Sequence, residues 1–375
     1  MNDLERYRIE IDETDAQLVS LFKRRMALVE NVAEYKIRSG REVLDRKREL
    51  QKLDALTEKE EDPFVSMGIR ELYEQIMAIS RKRQYQLLTE NGVTLPMDYA
   101  LTEHLYFHHA RVVFQGVRGA YSDEAMQTFF DDSIESSHVE TWREAMEKVS
   151  EDEADFAVLP IENSTAGSVS DMYDLLLEYE NYIVGEQIIP IDHVLMAVPG
   201  ASLDSIRTVY SHEQGLAQCR EFLNAHPLWK REGMLNTAVA AEKVARDNRE
   251  DQAAIASRSA ASLYGLQILA DGLTAEKNAT RFIIVSHNRM FVRNAKKISI
   301  CFGLPHECGT LYRMLGHFIF NGLNMFKIES RPIPEQPFKY RFFIDFEGNL
   351  SDPAVKNALR GLEEEADGLR LLGNY

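Results

Sequence analysis

Hydrophobic and polar positions change their period along the chain, and these changes divide it into four regions. Residues 1–90 show the three-to-four-residue spacing of amphipathic helices. Residues 111–290 alternate short β-like runs with helical runs, which is the pattern of an α/β domain. Residues 296–375 follow the order strand, helix, strand, strand, helix (βαββα), which predicts a small α+β domain. Residues 91–110 contain Gly and Pro without a clean period and are interpreted as a linker, so the predicted fold class is multidomain.

The helical region is broken twice. The run Arg38–Arg41 ends a long first helix before a second segment that starts near Asp45, and the run Glu60–Pro63 interrupts the pattern again. Steps of four and three residues along the first helix give one mostly apolar stripe, as expected for a face that packs against a core. This stripe consists of Ile11, Asp15, Leu18, Phe22, Arg25, Val29, Val32 and Lys36.

Two cations lie on this apolar stripe. Arg25 and Lys36 are three helical turns apart, which is about 16 Å along the axis. Because a buried cation without a partner costs several kcal/mol, each must meet an anionic group. Asp15, Asp45 or Glu49 could neutralise them within the chain. Alternatively, the two long side chains could hold a small dianion between them.

Arg8 lies on the same stripe but about 25 Å from Arg25, too far to share such a ligand from its own helix. An antiparallel partner helix could return a second copy of Arg8 to the site. If Arg8 belongs to the pocket, we therefore expect a homodimer or higher homo-oligomer with sites shared between chains. Further polar residues share helical faces in the later segments, namely Asp45, Arg48, Glu49, Ser80 and Gln84.

The runs LERYRIEIDETDAQLVSLFKRRMALVENVAEYK, VLDRKREL and ISRKRQ strongly resemble the all-helical chorismate mutases. The resemblance implies a pericyclic rearrangement of chorismate to prephenate with no covalent intermediate and no cofactor. The substrate-binding pattern of that family falls on Arg8, Arg25, Lys36, Asp45, Arg48, Glu49, Ser80 and Gln84.

The resemblance also implies a role for each end of the substrate. Arg25 and a partner's Arg8 would hold one carboxylate, and Arg48 and Lys36 would serve the other end. The implied catalytic groups are Lys36 and Gln84, which would donate to the breaking ether oxygen, and Glu49, which would accept from the ring hydroxyl.

Several strands of the α/β region run into polar loops that open helices. GVRGAYSDEA places Ser122 before a helix, and PIENSTAGSV follows a strand. Backbone N–H groups at a helix start can bind a carboxylate, although the hydroxyl side chains there could be simple N-caps. His212 also precedes a helix and is interpreted as a capping or packing residue. The loop residues considered for substrate binding are Asn163, Ser164 and Thr165.

Taken in order, FQGVRGAYSDEA, PIENSTAGSV, SHEQGLAQC, NTAVAAEKVA and NATRF closely resemble the prephenate dehydratases. The resemblance implies two α/β lobes with the substrate in the cleft between them, and it makes Thr280 essential for dehydration. We hypothesise that the Thr280 hydroxyl donates to the departing ring hydroxyl, mostly through positioning because it is a weak acid. Arg281 could orient a substrate carboxylate, and Phe282 could keep the ring and the departing CO₂ dry.

The C-terminal region, with the run FNGLNMFKIESRP, looks like an ACT regulatory domain. The resemblance implies that phenylalanine binds the signature Glu329, Ser330, Arg331 and Pro332. The Gly-Ala-Leu turn usual in such domains reads Gly309-Thr310-Leu311 here, so Gly309 and Leu311 are regulatory candidates. Alternatively, Glu329 and Arg331 form an ion pair at a strand end. Feedback inhibition would require phenylalanine to bind one quaternary state better than another.

Composition restricts the remaining possibilities. The formal net charge of −17 opposes a general affinity for nucleic acid, although residues 1–90 carry 17 Lys and Arg against 19 Asp and Glu. No run of apolar residues is long enough for a membrane helix, and the acidic start does not resemble a signal peptide. Cys219, Cys301 and Cys308 show no metal-binding spacing, which suits a reducing cytoplasm without a metal site.

Three classes of function remain open. The first is a cytoplasmic bifunctional chorismate mutase and prephenate dehydratase without cofactor, inhibited by phenylalanine. The second is a sensor that only binds, because two-lobed α/β cores also build solute-binding proteins; a second, unrelated anion site argues against it. The third is a helical nucleic-acid module with a regulatory domain, whose cations should line a solvated face and whose binding should fall steeply with salt.

Overall fold

The structure is a computed structural model, and the residues that it describes are 2–93, 98–274, 277–333 and 336–375. The chain forms two compact units. The first unit combines Met1–Asp98 with Lys296–Leu371, and the second combines Tyr99–Ala295 with Leu372–Tyr375. None of the helices in the described ranges has the length and apolar character that crossing a membrane requires.

The described helices are α1 (Asp3–Ser39), α2 (Arg46–Thr57), α3 (Pro63–Glu90), α4 (Tyr121–Phe129), α5 (Trp142–Ser150), α6 (Ser170–Glu178), α7 (Glu213–Gln218), α8 (Arg220–Asn224), α9 (Thr237–Asp247), α10 (Arg258–Leu263), α11 (Thr310–Phe320) and α12 (Pro353–Glu365). The described strands are β1 (Ala100–Thr102), β2 (Arg111–Gln115), β3 (Glu135–Val139), β4 (Phe156–Asn163), β5 (Gly167–Ser168), β6 (Tyr182–Pro190), β7 (His193–Ala197), β8 (Thr208–Ser211), β9 (Lys230–Gly233), β10 (Gln252–Ser257), β11 (Gln267–Ala270), β12 (Ala279–Ser286), β13 (Met290–Val292), β14 (Lys297–Gly303), β15 (Met325–Pro332), β16 (Tyr340–Glu347) and β17 (Asp367–Asn374).

Local sequence signals set the ends of the first three helices. Gly40 closes α1 at φ +65, in the left-handed region that glycine adopts without strain. Asp45 caps α2 by accepting a hydrogen bond from the backbone N–H of Arg48 at 3.0 Å. Asp62 caps α3, whose first residue is Pro63. Both predicted breaks in the helical region are therefore confirmed.

The apolar stripe of α1 is buried only in its C-terminal part. Every residue from Asn2 to Leu21 is exposed, and Ile11 and Leu18 retain 57% and 53% of their accessible surface. Val29, by contrast, is buried. Within the chain, the expectation that this stripe faces a core therefore holds only for its C-terminal part, because no other part of the described chain covers the first half of this helix.

The C-terminal part of the first unit contains the predicted order strand, helix, strand, strand, helix, formed by β14, α11, β15, β16 and α12. One further strand, β17, follows α12 and was not predicted. Its two glycines in DGLRLLGN interrupt the alternation that indicates a strand. The sheet order within this unit is β15-β16-β14-β17, and α12 packs on α3 as well as on α11.

The second unit is built on two larger sheets. One has the order β6-β12-β4-β2-β3 with β5 paired to β4, and the other has the order β11-β7-β10-β8-β9. The β-like runs predicted for this region each contain a strand, namely VVFQGV (β2), FAVLPIE (β4), HVLMAVPG (β7), TVYSH (β8), AAIAS (β10) and FIIVSH (β12). The nine-residue strand β6 was missed because Gly185, Glu186 and Gln187 break its apolar run. The predicted linker 91–110 contains the short strand β1, which pairs in parallel with β13.

Candidate active sites

A cavity of about 510 Å³ lies among α1, α2 and α3 of the first unit. Its wall combines the C-terminal half of α1, most of α2 with the residues just before it, and the C-terminal half of α3. Its charged and polar lining residues include Arg25, Lys36, Asp45, Arg48, Glu49, Ser80, Arg81 and Gln84. The structure thus brings together seven of the eight positions selected by resemblance, and it adds Arg81.

Arg25 and Lys36 are both half-buried in the wall of this cavity. Arg25 Nη1 donates to Ser80 Oγ, and Lys36 Nζ donates to the backbone oxygen of Val43 at 2.6 Å. In the described part of the chain, neither cation forms an ion pair with the three acids that could have neutralised it. Burial lowers the pKa of both groups and nearby protein acids oppose this shift only in part, so an anionic ligand would offset the remaining desolvation cost.

Gln84 offers unused hydrogen-bonding capacity to the same cavity. Its side chain is buried, and Nε2 donates to the backbone oxygen of Ser80 at 3.2 Å. Among the described residues, Oε1 has no hydrogen-bond partner. An amide nitrogen carries two hydrogens, so one of them also remains for a ligand. Leaving a buried polar atom unpaired costs about 1–3 kcal/mol, which a bound polar molecule would recover.

Glu49 is held by a residue that the sequence analysis missed. Arg81 Nη1 donates to both carboxylate oxygens of Glu49, at 2.7 and 2.6 Å. Arg81 also donates through Nε and Nη2 to the carboxylate of Glu365, at 2.8 and 3.1 Å. His317 Nε2 lies 3.3 Å from the same carboxylate. Because 284 residues separate Arg81 from Glu365, no local pattern could have indicated this pair.

Glu365 should make the first unit sensitive to acid. Burial alone would raise the pKa of Glu365, but its contacts with His317 and Arg81 bring the pKa down to about 2, from an ordinary value of 4.5. A carboxyl group whose pKa is lower in the folded state contributes stability above its unfolded pKa, and this contribution is lost as the pH falls through the folded pKa.

We therefore expect the urea midpoints of the wild type and of Glu365→Gln, followed by circular dichroism, to differ near neutral pH. They should converge as the pH falls from about 4.5 towards about 2. A difference that stays constant over this range would contradict the assignment of charge to Glu365.

Arg8 does not line the cavity of its own chain. It lies in the exposed first part of α1, more than four helical turns before Arg25. This placement agrees with the length argument that Arg8 cannot reach the cavity from its own helix.

A second cavity, of about 390 Å³, lies in the second unit between loops that follow strands of its two larger sheets. The lining includes amide, hydroxyl, imidazole and aromatic groups. Among its described lining residues there is no Lys or Arg. Its polar and aromatic lining residues include Gln115, Tyr121, Ser122, Trp142, Asn163, His193, His212, Gln218, Asn236, Asn278, Thr280 and Phe282.

Thr280 and Phe282 face this cavity from β12, where alternate residues share a face. Asn163 lies opposite Thr280 in the register with β4, and its Nδ2 donates to Thr280 Oγ1 at 2.9 Å. Asn163 Oδ1 accepts from the backbone N–H groups of Thr165 and Ala166 at 3.1 and 2.9 Å, which fixes the amide orientation. The Thr280 oxygen therefore accepts from Asn163, and its own hydrogen is available to donate.

His193 is a buried residue of this cavity that the sequence analysis missed. Its Nδ1 lies 3.0 Å from the hydroxyl of Tyr121, and its Nε2 lies 3.0 Å from Gln218 Oε1. Burial lowers the pKa of His193, which favours the neutral imidazole. A single His before an apolar strand carries no distinctive signal, so only the fold reveals this position.

Two further donors of the cavity have no partner among the described residues. They are Nδ2 of the buried Asn278 and Nε1 of Trp142. Buried donors are nearly always paired in folded proteins. A ligand with acceptor oxygens, such as a carboxylate, would satisfy both.

Arg281 does not line this cavity. Arg281 follows Thr280 on β12, so its side chain lies on the opposite face of the sheet. Its Nε donates to Glu186 Oε2 at 2.7 Å. Its Nη2 donates to the hydroxyl of Tyr375 at 2.7 Å. We expected Arg281 to orient a substrate carboxylate, but in the structure its guanidinium forms an ion pair with the carboxylate of Glu186.

Ser164 and Thr165 also lie outside the described lining of the cavity. Ser164 Oγ accepts from the backbone N–H of Ala279 at 3.0 Å and donates to Asn278 Oδ1 at 3.3 Å, which ties two strand ends together. Thr165 is exposed. Neither residue is an N-cap, because the next helix begins only at Ser170.

The hydroxyl of Ser122 and the imidazole of His212 form hydrogen bonds with backbone groups close to them in sequence. Ser122 Oγ donates to the backbone oxygen of Gln115 at 2.5 Å, and the N-cap of α4 is Ala120 rather than Ser122. His212 Nδ1 accepts from the backbone N–H of Gln214 at 3.2 Å, which confirms its interpretation as a capping residue.

The residues assigned to phenylalanine binding lie in the first unit. Gly309 precedes α11 at φ +76, again in the left-handed region, and Leu311 follows in the first turn of that helix. The four residues of the signature lie on β15, the edge strand of the sheet in this unit, namely Glu329, Ser330, Arg331 and Pro332.

These features define a protein with two separate cavities: a cationic cavity among helices and a cavity lined by neutral polar groups in an α/β unit. Two family models match the chain in these same regions. The model of chorismate mutase type II matches residues 7–85, and that of prephenate dehydratase matches residues 112–290.

Similar proteins agree with this assignment. A bifunctional chorismate mutase/prephenate dehydratase of Enterobacter agglomerans is 33% identical over 382 residues, which cover 100% of this chain and 96% of that protein. The arogenate dehydratase/prephenate dehydratase 2 of Arabidopsis thaliana is 41% identical over 282 residues, or 71% of this chain and 72% of that protein. A crystal structure of prephenate dehydratase from Arthrobacter aurescens in complex with L-Phe has a TM-score of 0.65 and 31% identity, covering 71% of this chain and 89% of that chain. The chain therefore belongs to the family of bifunctional chorismate mutases/prephenate dehydratases.

Proposed function

We propose that the protein converts chorismate to prephenate in the helical cavity and then prephenate to phenylpyruvate in the cavity of the second unit. The observation that carries the first step is the cluster of half-buried cations and an unsatisfied amide around one 510 Å³ space. The test is to incubate purified protein with chorismate and to follow prephenate and then phenylpyruvate. Failure to form prephenate from chorismate, or phenylpyruvate from added prephenate, would reject the corresponding step.

The mutase reaction needs positioning and electrostatics more than chemical groups. A pericyclic shift requires the folded conformer of the substrate and stabilisation of negative charge on the breaking ether oxygen. Arg25 and Lys36 are suited to this task because their charges are already partly desolvated. Gln84 would add a neutral donor, and Glu49 would accept from the ring hydroxyl.

The dehydratase reaction needs a donor at the departing hydroxyl. The hydroxyl takes up a proton and leaves as water, while the electron pair of the breaking bond to CO₂ makes the ring aromatic. Thr280 would donate to that hydroxyl, since its oxygen already accepts from Asn163. Asn278 and Trp142 would supply neutral donors to the substrate carboxylates, which suits a cavity whose described lining has no cation.

A second candidate substrate of the dehydratase site is arogenate, the amino acid that corresponds to prephenate. The observation that favours it is the 41% identity to a plant protein named arogenate dehydratase/prephenate dehydratase. The ratio of kcat/KM for the two substrates, measured on the same preparation, decides between them.

The mutase site is proposed to be shared within a homodimer. About five turns of α1 are exposed in the single chain, with apolar residues such as Ile11 and Leu18 among them. An isolated helix of this length is marginal in water, so a partner helix would stabilise it. The same partner would bring its Arg8 to the cavity.

A mixing experiment tests the shared site. We expect Arg8→Ala and Lys36→Ala chains to lack mutase activity separately and to recover it when refolded together, because one of the two sites in a mixed dimer then carries neither change. Arg25→Ala mixed with Lys36→Ala is the control and should recover nothing, because each site then retains one defect. No recovery in the first mixture would contradict sharing through Arg8.

The C-terminal part of the first unit is proposed to be an ACT domain that binds phenylalanine. The order of its elements and the edge-strand position of the Glu329–Pro332 signature support this reading. So does the similar prephenate dehydratase that was crystallised with L-Phe. Calorimetric titration with phenylalanine, together with dehydratase rates at each concentration, tests the proposal; absence of binding would reject it.

A further inference from the structure

The last turn of α12 carries charges that are unfavourable for its own helix. Glu364 and Glu365 lie at the C-terminal end, where the helix dipole disfavours negative charge, and this turn contains no basic residue. Both side chains are nevertheless removed from solvent to a large extent. Their compensation therefore comes from other elements of the first unit.

The charge of Glu365 is compensated by Arg81, a residue in the wall of the mutase cavity. Its carboxylate receives two hydrogen bonds from Arg81, and the same guanidinium grips both oxygens of Glu49. A planar guanidinium that serves two carboxylates has little freedom to rotate. The position of Glu49 at the cavity is thus tied to α12 through one buried side chain.

Glu364 acts on the opposite side of the cavity. Its Oε2 accepts from the backbone N–H groups of Val43 and Leu44 at 3.1 and 2.9 Å, and from the hydroxyl of Tyr85 at 3.1 Å. The backbone oxygen of Val43 in turn accepts from Lys36 Nζ at 2.6 Å. The backbone at Val43 and Leu44, which accepts the hydrogen bond from Lys36, is therefore hydrogen-bonded to α12 through Glu364.

We propose that Glu364 and Glu365 are positioning residues of the mutase site, through which the C-terminal region of the chain holds Lys36 and Glu49 in place. This inference rests on the proposed mutase function. Neither glutamate lies on the described lining of the mutase cavity, so neither is a catalytic residue. Mutase turnover should accordingly depend on a helix that lies almost three hundred residues away in sequence.

The test uses three single variants of the full chain: Glu364→Gln, Glu365→Gln and the control Glu363→Gln. Glu363 is exposed on the same helix and directly precedes the pair. Since a displacement of about 1 Å can cost about 10²-fold in rate, we expect mutase kcat to fall about 10- to 100-fold in the first two variants, with a smaller change in KM. Glu363→Gln should stay within about twofold of the wild type.

A second readout separates positioning from a general loss of structure. Burial lowers the pKa of Lys36, while the charges of Glu364, Asp45 and Glu49 oppose this effect and Arg48 adds to it. Removing the Glu364 charge should therefore shift the alkaline limb of the mutase pH profile to lower pH. Glu365→Gln should leave that limb in place, because Glu365 is not among the groups that act on Lys36.

The dehydratase rate with added prephenate reports whether the second unit of each variant is folded, and the urea midpoint followed by circular dichroism reports the same for the first unit. Wild-type mutase kcat in both Glu364→Gln and Glu365→Gln would overturn the inference, and so would equal losses of mutase and dehydratase activity. If Glu365→Gln does not fold, Glu364→Gln decides through its pH profile. A wild-type protein without mutase activity would instead reject the proposed function, so the two failures are distinguishable.

Discussion

Replacing Lys36 with alanine is expected to reduce mutase turnover by about 10²–10³-fold, because removal of one preorganised donor to a developing oxyanion has this effect in other enzymes. The Lys36 ammonium is half-buried and, among the described residues, its hydrogen-bond acceptor is the backbone oxygen of Val43, so most of its donor capacity remains for a ligand. The measurement is kcat with chorismate, together with the melting temperature.

Lys59→Ala is the matched control for this prediction. Lys59 is exposed in the connection between α2 and α3 and does not line the helical cavity as described. Its replacement should change neither kcat with chorismate nor the melting temperature. If Lys36→Ala lowers the melting temperature in proportion to the turnover, Lys36 is a structural residue and the mutase mechanism proposed for it is wrong.

Replacing Thr280 with alanine is expected to abolish dehydration and to leave the mutase rate unchanged. The change removes the hydroxyl that Asn163 orients, and groups that donate a proton or hydrogen bond to a leaving group typically contribute about 10²–10⁴-fold. The measurement is phenylpyruvate formation from prephenate, with chorismate turnover recorded on the same sample.

Two further variants make the Thr280 experiment specific. Thr280→Ser keeps a hydroxyl at the same position and should retain part of the activity. Thr128→Ala removes an exposed hydroxyl of α4 that bonds only to the backbone of Glu124 among the described residues, and should have no effect. Dehydratase activity in Thr280→Ala close to that of the wild type would refute the assignment of Thr280.

Short-range signals allowed the helical part of the fold to be predicted from sequence. The Gly40 turn, the Asp45 cap and the Asp62-Pro63 start each act within one helical turn, so their effect is visible in a local pattern. The strand β6 was missed because pairing on both sides, and not its own composition, makes it a strand. Its neighbour β12 was recognised from an apolar run.

The candidate sites were predictable to different degrees. The helical period placed Arg25 and Lys36 on one stripe of α1, but the convergence of residues from three helices on one cavity was expected only from the family resemblance. The orientation of the Arg281 side chain could also have been predicted. Successive residues of a strand point to opposite faces of the sheet, so Thr280 and Arg281 cannot line the same cavity. The contact between Arg81 and Glu365 could not be predicted, since it depends on how two distant segments pack.

The connectivity of the second unit has a consequence for biosynthesis. Gly373 pairs in parallel with Ile183 of β6, and a Cβ at position 373 would lie 2.0 Å from the Ile183 oxygen, so only glycine fits there. Tyr375 accepts a hydrogen bond from Arg281 in the same unit. During translation, residues up to Ala295 emerge from the ribosome long before Gly373 and Tyr375. The edge of β6 that pairs with Gly373 is therefore unpaired in the nascent chain until residues 296–371 have been translated.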